Sequence, residues 1–189
     1  MTLTEFLRDA LRNQHRMIDR AVSDLTPEQL HWLPTNSKVN HIGGTLWHYV
    51  RTEDNIVQFV LQERKPTVWI EGGYNETFGL DRVAQGTGMS TEDAQALRIP
   101  PIDGWMAYQQ AVWQATDGYL APLDDEALDR TVQVRPFGEI TARQALSQVC
   151  LTHGHAHFGE ICVLRNVLCL RGDVPSGSGY ARAVGVWDV

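Results

Sequence analysis

Two histidines one helical turn apart are the residues of this sequence best suited to chemistry. His153 and His157 lie in the run HGHAHFGE, with Glu160 one turn further on. At about 100° per residue the three side chains share one side of a helix with many apolar residues. This pattern predicts imidazoles inside an apolar stripe, where an unpaired polar group costs about 1–3 kcal/mol. The pair must therefore bind something: a metal ion, water, or side chains of another helix.

A metal ion is one of these alternatives, because histidines at positions i and i+4 can direct two nitrogens at the same ion. A third ligand must then come from a facing helix, and His48 is the candidate. It shares a polar stripe that suits a cavity wall with His41, Thr45, Thr52, Asn55 and Phe59. Three neutral imidazoles leave coordination positions for water or substrate, as in catalytic metal sites. The competing interpretation is that buried histidines only form local hydrogen bonds.

Four long helices would have to position these residues, since apolar residues recur at helical spacing and no long stretch alternates as a strand does. We predict an all-α fold with helices over about residues 4–25, 40–64, 102–121 and 141–171. The segment 66–99 between the second and third helices is too long for a simple turn. We expect it to be a crossover connection or a loop that covers a site, anchored by Trp69, Tyr74 and Phe78.

Composition limits the partners of the chain. It has 189 residues with 16 Lys+Arg against 23 Asp+Glu, a formal net charge of −7. We therefore predict a single domain over residues 1–189, a small-molecule substrate, no nucleic-acid partner and no membrane partner. The N-terminus does not resemble a signal peptide. Three cysteines, Cys150, Cys162 and Cys169, fall within one predicted helix and do not form a disulfide framework, which fits a cytoplasmic location.

Two segments carry a resemblance to a known family. The run LWHYVRTED around His48 and the run HGHAHFGEI from His153 resemble the two metal-site segments of the DinB/YfiT-like superfamily. Proteins of this kind are four-helix bundles in which helix two provides one histidine and helix four provides an H-x-x-x-H pair. The resemblance implies that His48, His153 and His157 are the ligands of a divalent transition metal such as zinc, nickel or iron. Residues 25–30 and 68–78 also look familial.

The superfamily includes transferases and isomerases that use a low-molecular-weight thiol such as bacillithiol, mycothiol or glutathione. The resemblance therefore implies a metal-dependent enzyme that uses such a thiol as a second cofactor. The alternatives are a hydrolase that activates water, and a non-catalytic stress protein that binds a metal or a ligand. Glu160 stands where the family often has glutamine, and we expect it to be a catalytic residue. It would act as a fourth ligand, a general base or an orienting group.

A second stripe on the fourth helix predicts a homodimer. Its members lie nearly opposite His153, with His155 beside them, and they are Leu151, Phe158, Cys162 and Cys169. An apolar surface of this kind on a bundle helix usually marks a contact between copies. The alternative is that the crossover, or the tail after residue 172, covers the stripe.

Overall fold

The chain folds mainly into helices, in a computed structural model that describes residues 1–171. In chain order the elements are α1 (Leu3–Val22), α2 (Pro27–Leu30), α3 (Ile42–Asp54), a first π-helical segment (Asn55–Val60), α4 (Val68–Glu71), α5 (Tyr74–Phe78), α6 (Thr91–Ala96), α7 (Ile102–Leu120), a 3-10 helix (Glu126–Asp129), β1 (Thr131–Val134), β2 (Gly138–Thr141), α8 (Ala142–Gln144), a second π-helical segment (Ala145–Thr152) and α9 (His153–Leu170). The predicted all-α class is confirmed. The prediction of one domain over residues 1–189 extends past the described residues and stays a prediction.

The four long helices pack as a bundle in which α1 and α3 each contact both α7 and α9. Their starting points follow from local capping. Thr2 and Thr141 each begin a helix with a capping box, in which the threonine side chain accepts a backbone N–H three residues on. Helix α3 begins after His41, whose side chain accepts the backbone N–H of Gly44 at 2.8 Å. The four-helix bundle that the family resemblance implies is therefore confirmed.

Two π-helical segments interrupt the helices that the sequence predicted as continuous. The first follows α3, the second precedes α9, and the two segments contact each other. A π-turn holds more residues than an α-turn, so the side chains before and after it change phase. Residues before the second segment therefore do not indicate which side of α9 is buried, and within α9 His153 and His157 lie half-buried at the edge of the buried side, with Glu160 exposed. The predicted position in the middle of an apolar stripe was wrong, because the buried side of α9 includes Phe158, Ile161 and Cys162.

A short β-hairpin lies between α7 and α9, contrary to the expectation that no sheet would form. Strands β1 and β2 pair antiparallel, with Thr131 opposite Thr141 and Val134 opposite Gly138. In β1, Val134 is buried and Val132 is half-buried, and the other two residues are exposed. Two alternating positions are too few to stand out as a strand pattern in the sequence.

The crossover between α3 and α7 contains α4, α5 and α6, and a buried carboxylate fixes its start. Asp54 accepts hydrogen bonds from the backbone N–H groups of Val68 (2.8 Å) and Trp69 (2.9 Å) and from the hydroxyl of Tyr108 (3.0 Å). The Trp69 side chain is fully buried, with the Arg51 guanidinium 4.8 Å from its ring centroid. The predicted anchoring of the crossover by Trp69 is confirmed.

The stripe that predicted a dimer contact on α9 is covered by the chain itself. Phe158 and Cys162 are only 4% and 6% exposed and belong to the hydrophobic core, and Leu151 and Cys169 are half-buried. The predicted contact surface was therefore wrong, because α9 packs this side into its own bundle. His155 is exposed, as expected. The homodimer stays a prediction and would need another surface.

The cysteines and the longest helices test the expectations of no disulfide framework and no membrane span. Cys150, Cys162 and Cys169 are free, and the first two are buried. No helix within residues 1–171 combines the length and the apolar character that crossing a bilayer would need.

Candidate metal centre

Three imidazoles from two helices of the bundle converge on one site. His48 comes from the middle of α3, and His153 and His157 come from the first turns of α9. One ligand atom from each of the three lies within 4.8 Å of the other two. The Nε2 atoms of His153 and His157 are 2.8 Å apart, and the ring of His48 stands nearly perpendicular to both at centroid distances of 5.1 and 5.0 Å. We call this group the histidine triad.

Backbone carbonyls fix the orientation of two triad members. The Nδ1 of His48 donates to the carbonyl oxygen of Gln85, a residue of the crossover. The Nδ1 of His153 donates to the carbonyl oxygen of Val149 at 3.2 Å. Because a carbonyl oxygen only accepts, each Nδ1 must carry the proton and each Nε2 must be a lone-pair donor. This is how metal-binding histidines are usually prepared by their outer partners.

Glu160 gives the third imidazole the same orientation. Its Oε2 accepts from Nδ1 of His157 at 2.8 Å, and this hydrogen bond is the main reason that the pKa of Glu160 is lowered. The side chain is 55% exposed. Within residues 1–171, the cluster of convergent metal-ligand atoms contains the three histidines and does not include Glu160. This position suits an orienting group, and a catalytic role for Glu160 stays a prediction.

The triad fits a cation. With each Nδ1 engaged as a donor, the Nε2 atoms of His153 and His157 lie 2.8 Å apart, a distance that requires either a proton shared between them or a metal cation beside them. Burial, followed by the charges of His157 and His48, lowers the pKa of His153 to about 4. Burial also lowers the pKa of His48. A set of neutral imidazole ligands suits zinc, nickel or iron.

The second π-helical segment explains why the imidazole of His153 can donate a hydrogen bond to the Val149 carbonyl. The backbone N–H of His153 bonds to the carbonyls of Gln148 and Cys150. In a regular α-helix it would bond to Val149 instead. The Val149 carbonyl thus accepts from the imidazole of the same residue. π-Helical turns are frequently found at functional sites, and this one ends at a triad residue.

Two glycines allow other segments to approach the triad. A Cβ on Gly154 would collide with Nε2 of Gln14 and would lie 2.6 Å from the ring of Tyr49, so α1 could not pack so closely. Gly86 has a φ of 86°, and a Cβ there would lie 3.0 Å from His48 Nδ1. The crossover can therefore bring the Gln85 carbonyl to the triad only because the next residue is glycine.

A buried polar network around Glu53 lies beside the triad. Glu53, which is fully buried on α3, accepts hydrogen bonds from Tyr49 (2.6 Å), Thr116 (2.7 Å) and His15 (2.9 Å). The ring of Tyr49 lies 6.3 Å from that of His153, and the ring of His15 stacks on an indole of α7 at 3.9 Å. Three helices are therefore joined by one carboxylate beside the site. Burial raises the pKa of Glu53, but its three partners outweigh burial and lower it.

The triad lies where two cavities meet. A cleft of about 1420 Å³ is lined by His48 and His153, and a smaller cavity of about 310 Å³ is lined by His48 and His157. Gly86 lines both. Of the polar stripe predicted as a cavity wall, Thr52, Asn55 and Phe59 line the cleft. The crossover does cover the site, as one of the two sequence interpretations expected.

The sequence and the fold both point to one family. A family model described as the DinB superfamily matches residues 10–161. The chain belongs to the DinB superfamily. It is similar in structure to a conserved protein from Enterococcus faecalis, with a TM-score of 0.76, over 89% of this chain and 98% of that chain. The sequences are 17% identical, so this likeness shows the fold alone. A search of curated proteins gave no significant match.

In this DinB superfamily protein the three predicted histidines are brought together, and the triad is a group that could hold a metal ion. Sequence reasoning missed the carbonyl acceptors of Gln85 and Val149, because a backbone group has no residue signature. Gly86 was not among the predicted site residues, although a glycine beside a ligand's partner can indicate a close approach. Sequence reasoning also missed the network around Glu53.

Proposed function

We propose that this protein is a metal-dependent enzyme whose divalent transition metal is held by His48, His153 and His157. The observation that carries the proposal is the arrangement of the triad: three Nε2 lone pairs converge, and three fixed acceptors hold the opposite nitrogens. Zinc, nickel and iron are the expected ions, since imidazole ligands suit them and do not suit calcium or magnesium. A bound ion of this kind supplies Lewis acidity that lowers the pKa of a thiol or of water.

We further propose transfer or isomerisation that involves a low-molecular-weight thiol. Two cavities meeting at the triad give two reactants separate access to it.

In such a transfer the thiol sulfur forms a bond to an electrophilic atom of the substrate. The substrate's leaving group departs with the bonding electrons, and the thiol proton passes to solvent. The protein's own contribution is placement: Gln85 and Val149 hold two imidazoles in one tautomer, and Glu160 holds the third. We propose that this takes place in the reducing cytoplasm, where the three free cysteines would stay reduced.

Hydrolysis is the second candidate. The wide cleft gives water access to the triad on the side of His48 and His153. A hydrolase would turn over its substrate without added thiol, whereas a transferase would not.

The first experiment measures metal. We expect about one ion per chain, by elemental analysis of protein purified without an affinity tag, and a loss of most of it in His153→Ala and in His157→Ala. The matched control is His155→Ala, an exposed histidine of the same helix. If both triad variants kept the metal content of the wild type, the assignment would be wrong.

The second experiment measures turnover of electrophilic substrates with a panel of thiols. Thiol-dependent turnover that disappears in His48→Ala supports transfer, and thiol-independent turnover supports hydrolysis. Metal binding without turnover of any substrate would favour a non-catalytic stress protein.

A further inference from the structure

The surface of the large cleft is unusually apolar for an exposed region of this chain. Seven large apolar residues are strongly exposed within the described part of the chain, and three of them, Phe59, Val83 and Phe137, line this cleft. They come from three separate segments: the first π-helical segment, the crossover and the tip of the β-hairpin. Exposed apolar side chains that meet in one cavity usually mark a binding surface.

The same cleft is positively charged in a chain whose net charge is −7. Its lining contains three arginines, Arg64, Arg130 and Arg135, and a single carboxylate, Glu63. Arg130 has structural partners, because its guanidinium donates to the carbonyl of Leu61 and to the hydroxyl of Tyr119. Arg64 and Arg135 have no carboxylate within ion-pair distance among residues 1–171, in contrast to Arg8, Arg12, Arg51, Arg143 and Arg165.

We infer that the cleft binds a small molecule with an apolar body and an anionic group, the anion pairing with Arg64 and Arg135. The apolar body would lie against Phe59, Val83 and Phe137 and would extend toward the triad. Two arginines free of internal partners offer charge-assisted hydrogen bonds without first breaking an ion pair. The inference rests on the proposed function for the role of this molecule as substrate, but the binding itself needs no metal.

A pair of fluorescent probes separates the two halves of the inference. 8-Anilinonaphthalene-1-sulfonate has an aromatic body and a negative charge, and N-phenyl-1-naphthylamine has the same kind of body without the charge. We expect saturable binding of the charged probe to folded protein with one site. The double variant Arg64→Ser/Arg135→Ser should weaken it about fivefold, as expected for two partly exposed ion pairs, and should leave the neutral probe unaffected. Phe137→Ser should weaken both probes.

Each variant has a matched control outside the cleft. Arg16→Ser/Arg20→Ser changes the net charge equally on α1, and Phe6→Ser removes another exposed phenylalanine, 47% exposed. Both controls should bind the probes as the wild type does. Thermal unfolding midpoints confirm that all variants are folded.

The inference is overturned if the cleft variants bind the charged probe as tightly as the wild type, if the controls weaken it equally, or if no saturable site exists. Metal content is measured on the same preparations. If only the metal proposal is wrong, the protein will contain no metal and will still bind the charged probe at the cleft. If only this inference is wrong, the protein will contain metal and the cleft variants will bind the charged probe as tightly as the wild type.

Discussion

The buried carboxylate of Glu53 allows a stability prediction to be worked out from the structure. It is fully buried and accepts hydrogen bonds from Tyr49, Thr116 and His15. Replacing it in Glu53→Ala leaves three polar groups without their acceptor and opens a cavity. A single unsatisfied buried group costs about 1–3 kcal/mol, and Glu53→Ala leaves three such groups beside the cavity. We expect a loss of about 4 kcal/mol, a large part of the stability of a typical domain.

Urea unfolding followed by circular dichroism measures this loss. Glu53→Gln keeps the shape but presents an amide N–H₂ where an acceptor is needed, so about half the loss is expected. Glu71→Ala, at an exposed carboxylate at the end of α4, should stay within about 0.5 kcal/mol of the wild type. A loss below about 1 kcal/mol in Glu53→Ala would refute the reasoning about this network.

The same carboxylate predicts a pH dependence. Burial raises the pKa of Glu53, but its pairing with His15 and its hydrogen bonds to Tyr49 and Thr116 outweigh burial and bring the pKa below 4.5. A carboxylate with a lowered pKa in the folded state stabilises the fold fully above its unfolded pKa and loses this contribution as the pH falls through its folded pKa. Stability should therefore fall below about pH 4.5 in the wild type, and less steeply in Glu53→Gln.

Three further changes test the site and the core. Gly86→Ala should reduce metal affinity about tenfold in a chelator competition by displacing an outer partner, and Gly88→Ala, with nothing within 4 Å of its Cβ, should not. Phe158→Glu should unfold the chain, seen as a loss of the near-UV circular dichroism signal, whereas Val163→Glu, at a 62% exposed position, should not. A folded Phe158→Glu variant would contradict the assignment of Phe158 to the core. Metal content should fall with the pH in ultrafiltration assays, because imidazole ligands bind an ion only when unprotonated; metal content that stays constant down to about pH 3 would contradict this.

Much of the fold could be predicted because its signals are local. Capping boxes at Thr2 and Thr141 and the helical spacing of apolar residues lie within one or two turns of chain. The π-helical segments could not be predicted in this way, because the composition of residues 145–152 does not distinguish a wide turn from an α-turn. The side of α9 that faces the bundle depends on packing between helices, and Phe158 and Cys162, predicted at the surface, lie in the core.

The candidate site also has a part that the sequence could predict and a part that it could not. The spacing of His153 and His157 and the polar stripe around His48 could be interpreted from side chains alone. The partners on Nδ1 depend on where a distant backbone passes, as at Gln85. The cationic cleft depends on a hairpin that brings Arg135 to the end of another helix. Contacts of this kind join residues far apart in the chain, and a single sequence carries no local signal for them.

The hydrogen bond from His48 to the Gln85 carbonyl makes the crossover and the triad a coupled pair. When this part of the crossover leaves α3, the imidazole loses the acceptor that fixes its tautomer and direction. By thermodynamic linkage, the factor by which docking of the crossover strengthens ion binding is also the factor by which an ion strengthens docking. Amide hydrogen exchange around residues 83–88 should therefore slow when the protein is loaded with zinc, so a segment on the outside of the bundle reports the state of its centre.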